Sequence, residues 1–221
     1  MFTSNDKSPN RLLALSGFGF VILVIAAFGG LGQDTPGGGD PAEKVKAFYA
    51  AHQNHQIAAA FVLAAAVPLL VLFSVGLAQT LWPADPARRP FWQIVLLGGG
   101  VLAGATFAIA ALCHFALADI ADKAAVSNGA LQTLNELDSN TWLALDAGLG
   151  VLMLGAAGSL IPRAGAERAL GWLALIAGIA LFIPYADFPA LVATGLWILA
   201  MSVVLLRGHR EPALAPRPGL A

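Results

Sequence analysis

The sequence predicts an all-α fold, a polytopic membrane helical bundle with six transmembrane helices. Three observations carry that expectation. Hydrophobic residues make up 58% of the chain and charged residues 11%, and the mean hydropathy is +0.75, outside the balance of soluble domains. Six apolar runs, at about 12–32, 57–82, 91–117, 141–161, 169–185 and 189–206, come close to the ~20 residues that cross a hydrocarbon layer of ~30 Å. The basic residues between those runs divide unequally. Lys7, Arg11, Arg88, Arg89, Arg163, Arg168, Arg207, Arg210 and Arg217 fall on one side, and Lys44, Lys46 and Lys123 on the other. Nine against three places both termini in the cytoplasm, and an even number of spans satisfies that. The expected organisation is a cytoplasmic N-terminal tail (1–11), a six-helix transmembrane domain (12–206) and a cytoplasmic C-terminal tail (207–221).

The first run, Leu12 to Gly32, exceeds the apolar region of about 7–15 residues in a secretory signal and leads into LGQDTPGGGD without a small-x-small cleavage site. It reads as an uncleaved first helix. Pro36 and three consecutive glycines then break the helix. Asp40-Pro41-Ala42-Glu43 reads as the next start, with Asp40 as N-cap and Pro41 in the first helical position. The following segment is expected to run helically into the second span. Its Val45, Phe48, Tyr49 and His52 recur at helical spacing, which lays it on the membrane surface or over the mouth of the bundle. Pro68 is expected to kink the second span.

The third span carries Gly98, Gly99, Gly100 and Gly104, and the Gly100–Gly104 spacing allows close helix approach. Segment 118–140 is too polar to span and reads as a short surface helix. The fourth span is glycine-rich, and the fifth and sixth form a hairpin through PYADF. Trp82, Trp92, Trp142 and Trp172 lie near span ends as interfacial anchors.

The short first helix, the loop leading into an Asp-Pro-x-x-Lys-like helix with a Tyr, the basic turns after spans two and four, and Leu170-Gly171-Trp172-Leu173 form a recognisable layout. Over about residues 12 to 207 it resembles a group of bacterial six-span integral membrane proteins known only as domains of unknown function. The resemblance implies a bacterial inner-membrane location and brings no activity or catalytic residues with it.

The net charge of -1, with charges confined to loops, excludes a generally basic nucleic-acid-binding protein. A single cysteine, Cys113, forms no internal disulfide and reads as a packing residue. No nucleophile elbow, P-loop or His-Glu-x-x-His pattern occurs. The candidate polar cluster consists of His114, Asp146, His52, His55, Asp119 and Asp187. His114 and Asp146 are the ionisable residues inside apolar runs, and such residues mark functional sites by default. Counted from span ends, Asp146 sits about 8 Å deep and His114 about 5 Å, so the two are expected to face each other or share one cavity. His52 and His55 have a spacing that suits two metal ligands, with Asp119, Asp122, His114 or Asp187 to complete the set. The plainer reading makes them solvated interfacial histidines, so no metal and no cofactor is assigned.

Three functions compete. The first is a non-enzymatic structural or partner-binding bundle, whose partners are the lipid bilayer and another membrane protein or a second copy of the chain. The second is a small-solute or proton-linked transporter using His114 and Asp146. The third is a metal-dependent membrane enzyme.

Overall fold

The computed structural model describes residues 8–32, 35–83, 90–123 and 125–208. Lys7, the turn arginines Arg88 and Arg89, and the tail with Arg210 and Arg217 lie outside the described residues. The protein is all-α: α1 (Ser8–Ile25), α2 (Ala42–Ala51), α3 (Gln53–Leu81), α4 (Phe91–Ile120), α5 (Asn128–Leu160), α6 (Gly165–Ala180) and α7 (Asp187–Gly208), with a π-helical segment, Ala26–Leu31, continuing α1. Among the described residues, five helices are long and apolar enough to cross a membrane, over Arg11–Leu31, Gln53–Leu81, Phe91–Ile120, Asn128–Leu160 and Asp187–Arg207.

The exception is α6. Its 16 residues span about 24 Å at ~1.5 Å per residue, short of a ~30 Å hydrocarbon layer. It starts at Gly165, four residues before the expected position, and gives way to tight turns from Leu181. Pro184 disfavours the α conformation at the residue before it, and Tyr185 has a positive φ of 69°, so the helix does not reach the expected end at 185.

The bundle is held together by glycine. A Cβ on Gly99 would lie 2.1 Å from the Leu152 backbone nitrogen, one on Gly148 2.5 Å from that of Ala103, and one on Gly155 2.3 Å from that of Leu96. Three such backbone approaches make α4 and α5 a tightly packed antiparallel pair and fix its register. Gly100 and Gly104 face the other neighbour, α3, where a Cβ would meet Ser74 and Val71. The expected small-xxx-small seam therefore joins α4 to α3. On α3 the buried stripe Gln56, Ala59, Leu63, Ala66, Leu70, Phe73, Leu77 alternates spacings of three and four, and Pro68 lies on the exposed face of an unbroken helix.

Three local expectations are corrected. Pro41 rather than Asp40 occupies the N-cap of α2; the Asp40 carboxylate instead accepts from the Gly37 N–H at 2.9 Å and from Lys44. That lysine contact, and less so the Gly37 bond, holds the Asp40 carboxyl below its usual value of 3.8. The helix also breaks between α2 and α3 at His52, whose φ is -117° and ψ 17°, so α2 turns over the mouth of the bundle. There Val45 and Tyr49 are buried against Leu117, Ala118, Ala121 and Leu131. Finally, segment 118–140 is no separate surface helix: α4 runs to Ile120, and α5 starts at the Ser127 cap and continues unbroken through Thr141 to Leu160. Between Ala130 and Ala147 nothing breaks a helix, so its polar first turns simply extend the span.

Candidate functional site

The α2 end of the bundle holds a polar cluster built by four elements. α5 carries a stripe at helical spacing, Leu131, Asn135, Asp138, Trp142 and Leu145, of which Leu131, Asn135 and Leu145 are buried, Asp138 is half-buried and Trp142 is exposed. Asn135 donates to the Gly37 carbonyl at 2.8 Å and Gln132 to the Asp40 carbonyl at 2.8 Å, which pins the glycine loop over the bundle. Gly38 lies so close to Glu136 that a Cβ would stand 2.6 Å from its carboxylate oxygen. On α3, the Gln56 side chain is fully buried and its amide nitrogen donates to the Gly32 carbonyl at 2.6 Å. That carbonyl is available because Gly32 is the C-cap, where the helix ends and its last carbonyls have no intrahelical donor.

The Gly32 bond fixes the orientation of the Gln56 amide and leaves its Oε1 pointing at His114 Nε2, 2.5 Å away. The other ring nitrogen, Nδ1, stands 3.4 Å from Asp138 Oδ2. Both ring nitrogens therefore face acceptors. An amide oxygen only accepts, so Nε2 carries a proton. The Nδ1 contact sets the other edge of the ring beside the Asp138 carboxyl.

Tyr49 packs edge-on against the His114 ring, with centroids 5.7 Å apart, and its hydroxyl is buried with no hydrogen-bond partner among the described residues. Burial, and secondly the negative charge of Asp138, raise the Tyr49 phenol above its ordinary value.

His114 and Asp138 open onto a cavity of about 300 Å³. It is lined by the apolar Ala59, Leu63, Phe107 and Leu145, by the polar Ser139 and Thr141, and by Thr35 to Gly38. A site of this size and makeup is at the small end of ligand pockets, which run to ~300–1,000 Å³. Beside it lies an apolar groove of about 550 Å³ between α1, α5 and α7. Phe28, Phe107, Trp142 and Leu145 wall both spaces.

The expected cluster is only partly assembled. His114 is in the site. Asp146 is not: the register of α4 and α5 places it opposite Ala105, nine residues from His114, or roughly 13 Å along the axis at ~1.5 Å per residue. The depth match failed because α5 starts at Asn128, far ahead of the expected Thr141, whereas α4 ends at Ile120, close to the expected 117, so Asp146 lies much deeper than His114. Asp146 is buried on the side of α5 near Asp187, and its Oδ1 has no partner among the described residues. Asp187 begins α7 and borders the apolar groove. His52 is held at the helix break, its Nδ1 2.9 Å from the Phe48 carbonyl, while His55 is exposed. Asp119 pairs with Lys123 on the surface. Among the described residues no group of three or more His, Cys, Asp or Glu side chains is placed to hold a metal ion.

The polar partners missing from the expected cluster are Gln56, Asp138 and Tyr49. A signal for each existed, since Gln56 and Asp138 interrupt apolar stripes of helical spacing and so are carried to the inside. No family model, no curated protein and no solved structure matches this chain.

Proposed function

We propose that this protein is a six-span bundle of a bacterial inner membrane with both termini in the cytoplasm, and that it binds a small molecule at the extracytoplasmic mouth without catalysing its conversion. The membrane count rests on the five long helices and on α6. The apolar turn Leu181-Phe182-Ile183 lengthens α6, whose Leu173, Ile176 and Ile179 are at least half exposed to the surroundings of the bundle. The Trp197 indole N–H, donated to the Leu170 carbonyl at 2.9 Å, ties α6 to α7.

The observation that carries the binding reading is the amide of Gln56, locked by Gly32 so that it orients the His114 ring beside Asp138 at the wall of the cavity. Such a pair presents an occupant with a ring nitrogen and a carboxyl, groups suited to hydrogen bonding. A thermal-shift screen of the detergent-purified full chain against small neutral solutes tests it. A binder raises the melting temperature of the wild type and fails to do so for His114→Ala and Asp138→Leu. A binder that stabilises the wild type and both variants equally overturns the reading, as does a screen of alcohols, ketones and amides in which nothing stabilises the wild type.

Proton-linked transport is the second reading, favoured by one observation: Asp146, on the same helix as Asp138 and two turns deeper, has a buried oxygen without a partner among the described residues. Proteoliposomes with an interior pH dye test it. Proton uptake that Asp146→Asn abolishes supports transport, and uptake no greater than in empty liposomes refutes it.

A further inference from the structure

We propose that the occupant of the mouth is a single-chain amphiphile with an uncharged, hydrogen-bonding headgroup, its head at His114 and Asp138 and its tail in the groove between α1, α5 and α7. The inference rests on the reading of the mouth as a binding site and names the class of molecule that fits it.

Three observations converge. The polar cavity and the apolar groove share Phe28, Phe107, Trp142 and Leu145 as walls, so one molecule entering from the side meets both chemistries. The groove is lined almost wholly by carbon, including Phe20, Val24, Leu191 and Leu199, and it lies between helices apolar enough to be embedded in lipid, where an alkyl chain is already in solution. The head end contains no lysine or arginine among its lining residues, and its only lining carboxyl is Asp138, 3.4 Å from His114 Nδ1. An anionic headgroup would face that carboxyl without a lysine or arginine to pair with. A cationic one would have to displace the His114 ring from the same oxygen. A hydroxyl or carbonyl head gains a donor and an acceptor at no cost in buried charge.

Photo-crosslinking of the full chain in phosphatidylcholine nanodiscs tests this. The probes are 1-monoacylglycerols with a diazirine at the head end or the tail end of the chain, compared with a fatty acid and a phosphatidylcholine of the same tail. The head-end probe is expected to label segment 35–38 or 139–142, and the tail-end probe segment 20–28 or 188–199. Labelling by monoacylglycerol is expected to exceed both comparison lipids at least tenfold, to fall at least fivefold in His114→Ala, and to be competed in the wild type by excess unlabelled monoacylglycerol. The wild-type competition keeps the test decisive if the variant fails to fold. Labelling of the mouth by the head-end probe with the groove unlabelled overturns the amphiphile and leaves the binding site standing. Equal labelling of the groove by all three lipids, with the mouth unlabelled, overturns both.

Discussion

Replacing Gln56 with leucine isolates the contact that organises the mouth. The amide is fully buried and makes two hydrogen bonds, donating to the Gly32 carbonyl and accepting from His114 Nε2. Leucine has similar bulk and keeps the stripe of α3 packed, so no large cavity opens. It leaves two polar groups behind. A buried group stripped of its partner costs about 1–3 kcal/mol, and the Gly32 carbonyl, in a buried residue, meets that cost in full. His114 borders the cavity, where water replaces part of the lost bond, so its share lies near the lower end. Against these stands about 1 kcal/mol from burying leucine in place of an amide. The net expectation is a loss of roughly 2 kcal/mol. Reversible unfolding of the purified protein in mixed micelles measures it, and hydrogen exchange shows whether segment 35–41 opens first. A Gln56→Leu protein within about 0.5 kcal/mol of the wild type, with that segment equally protected, would refute the reasoning.

Other expectations follow from neighbouring contacts. Gly99→Ala drives a Cβ into the backbone of Leu152 and is expected to cost about 1–3 kcal/mol, whereas Gly98→Ala meets nothing within 4 Å and is expected to stabilise by up to about 1 kcal/mol; the same unfolding assay reads both, and equal effects would contradict the register of α4 on α5. Tyr49→Phe removes a hydroxyl that has no partner among the described residues and is expected to be neutral or stabilising by up to about 1 kcal/mol, so a clear loss of stability in the unfolding assay would show that the hydroxyl is bonded. The Asp40 carboxyl is depressed in the fold, so its contribution is present above its unfolded value near 3.8 and is lost as the pH falls through the folded value below that. Protection of the Gly37 amide from hydrogen exchange, corrected for intrinsic rate, is expected to fall in that acid range in the wild type and to show no such step in Asp40→Asn.

How far the sequence could be read depended on what each residue had to satisfy. Apolar runs in this chain admit only helices, and the glycines of α4 and α5 announce close packing, so the bundle and its α3–α4 seam were legible. The ends of helices were not, because a polar stretch such as 128–140 continues a helix as readily as it covers a surface when nothing in it breaks the backbone. That ambiguity displaced His114 relative to Asp146 and hid Asp138, which lies in the polar extension. Gln56 fell just outside the expected second span and was passed over for its charged neighbours, although an uncharged amide at the start of a buried stripe is the cheaper group to carry inside. The π-helical turn at Ala26–Leu31, which ends at the Gly32 cap, has no marker beyond a glycine pair.

Nitrogen-15 NMR of the histidine-labelled protein, with the His114 signals assigned through His114→Gln, addresses the site at the mouth most directly. We predict that Nε2 is protonated and hydrogen-bonded, because the fixed Gln56 amide presents only an acceptor to it. We further predict that Asp138→Leu alters the Nδ1 signal more than Asp146→Leu does. A ring with its only proton on Nδ1, or one that responds to Asp146 and ignores Asp138, would contradict the site.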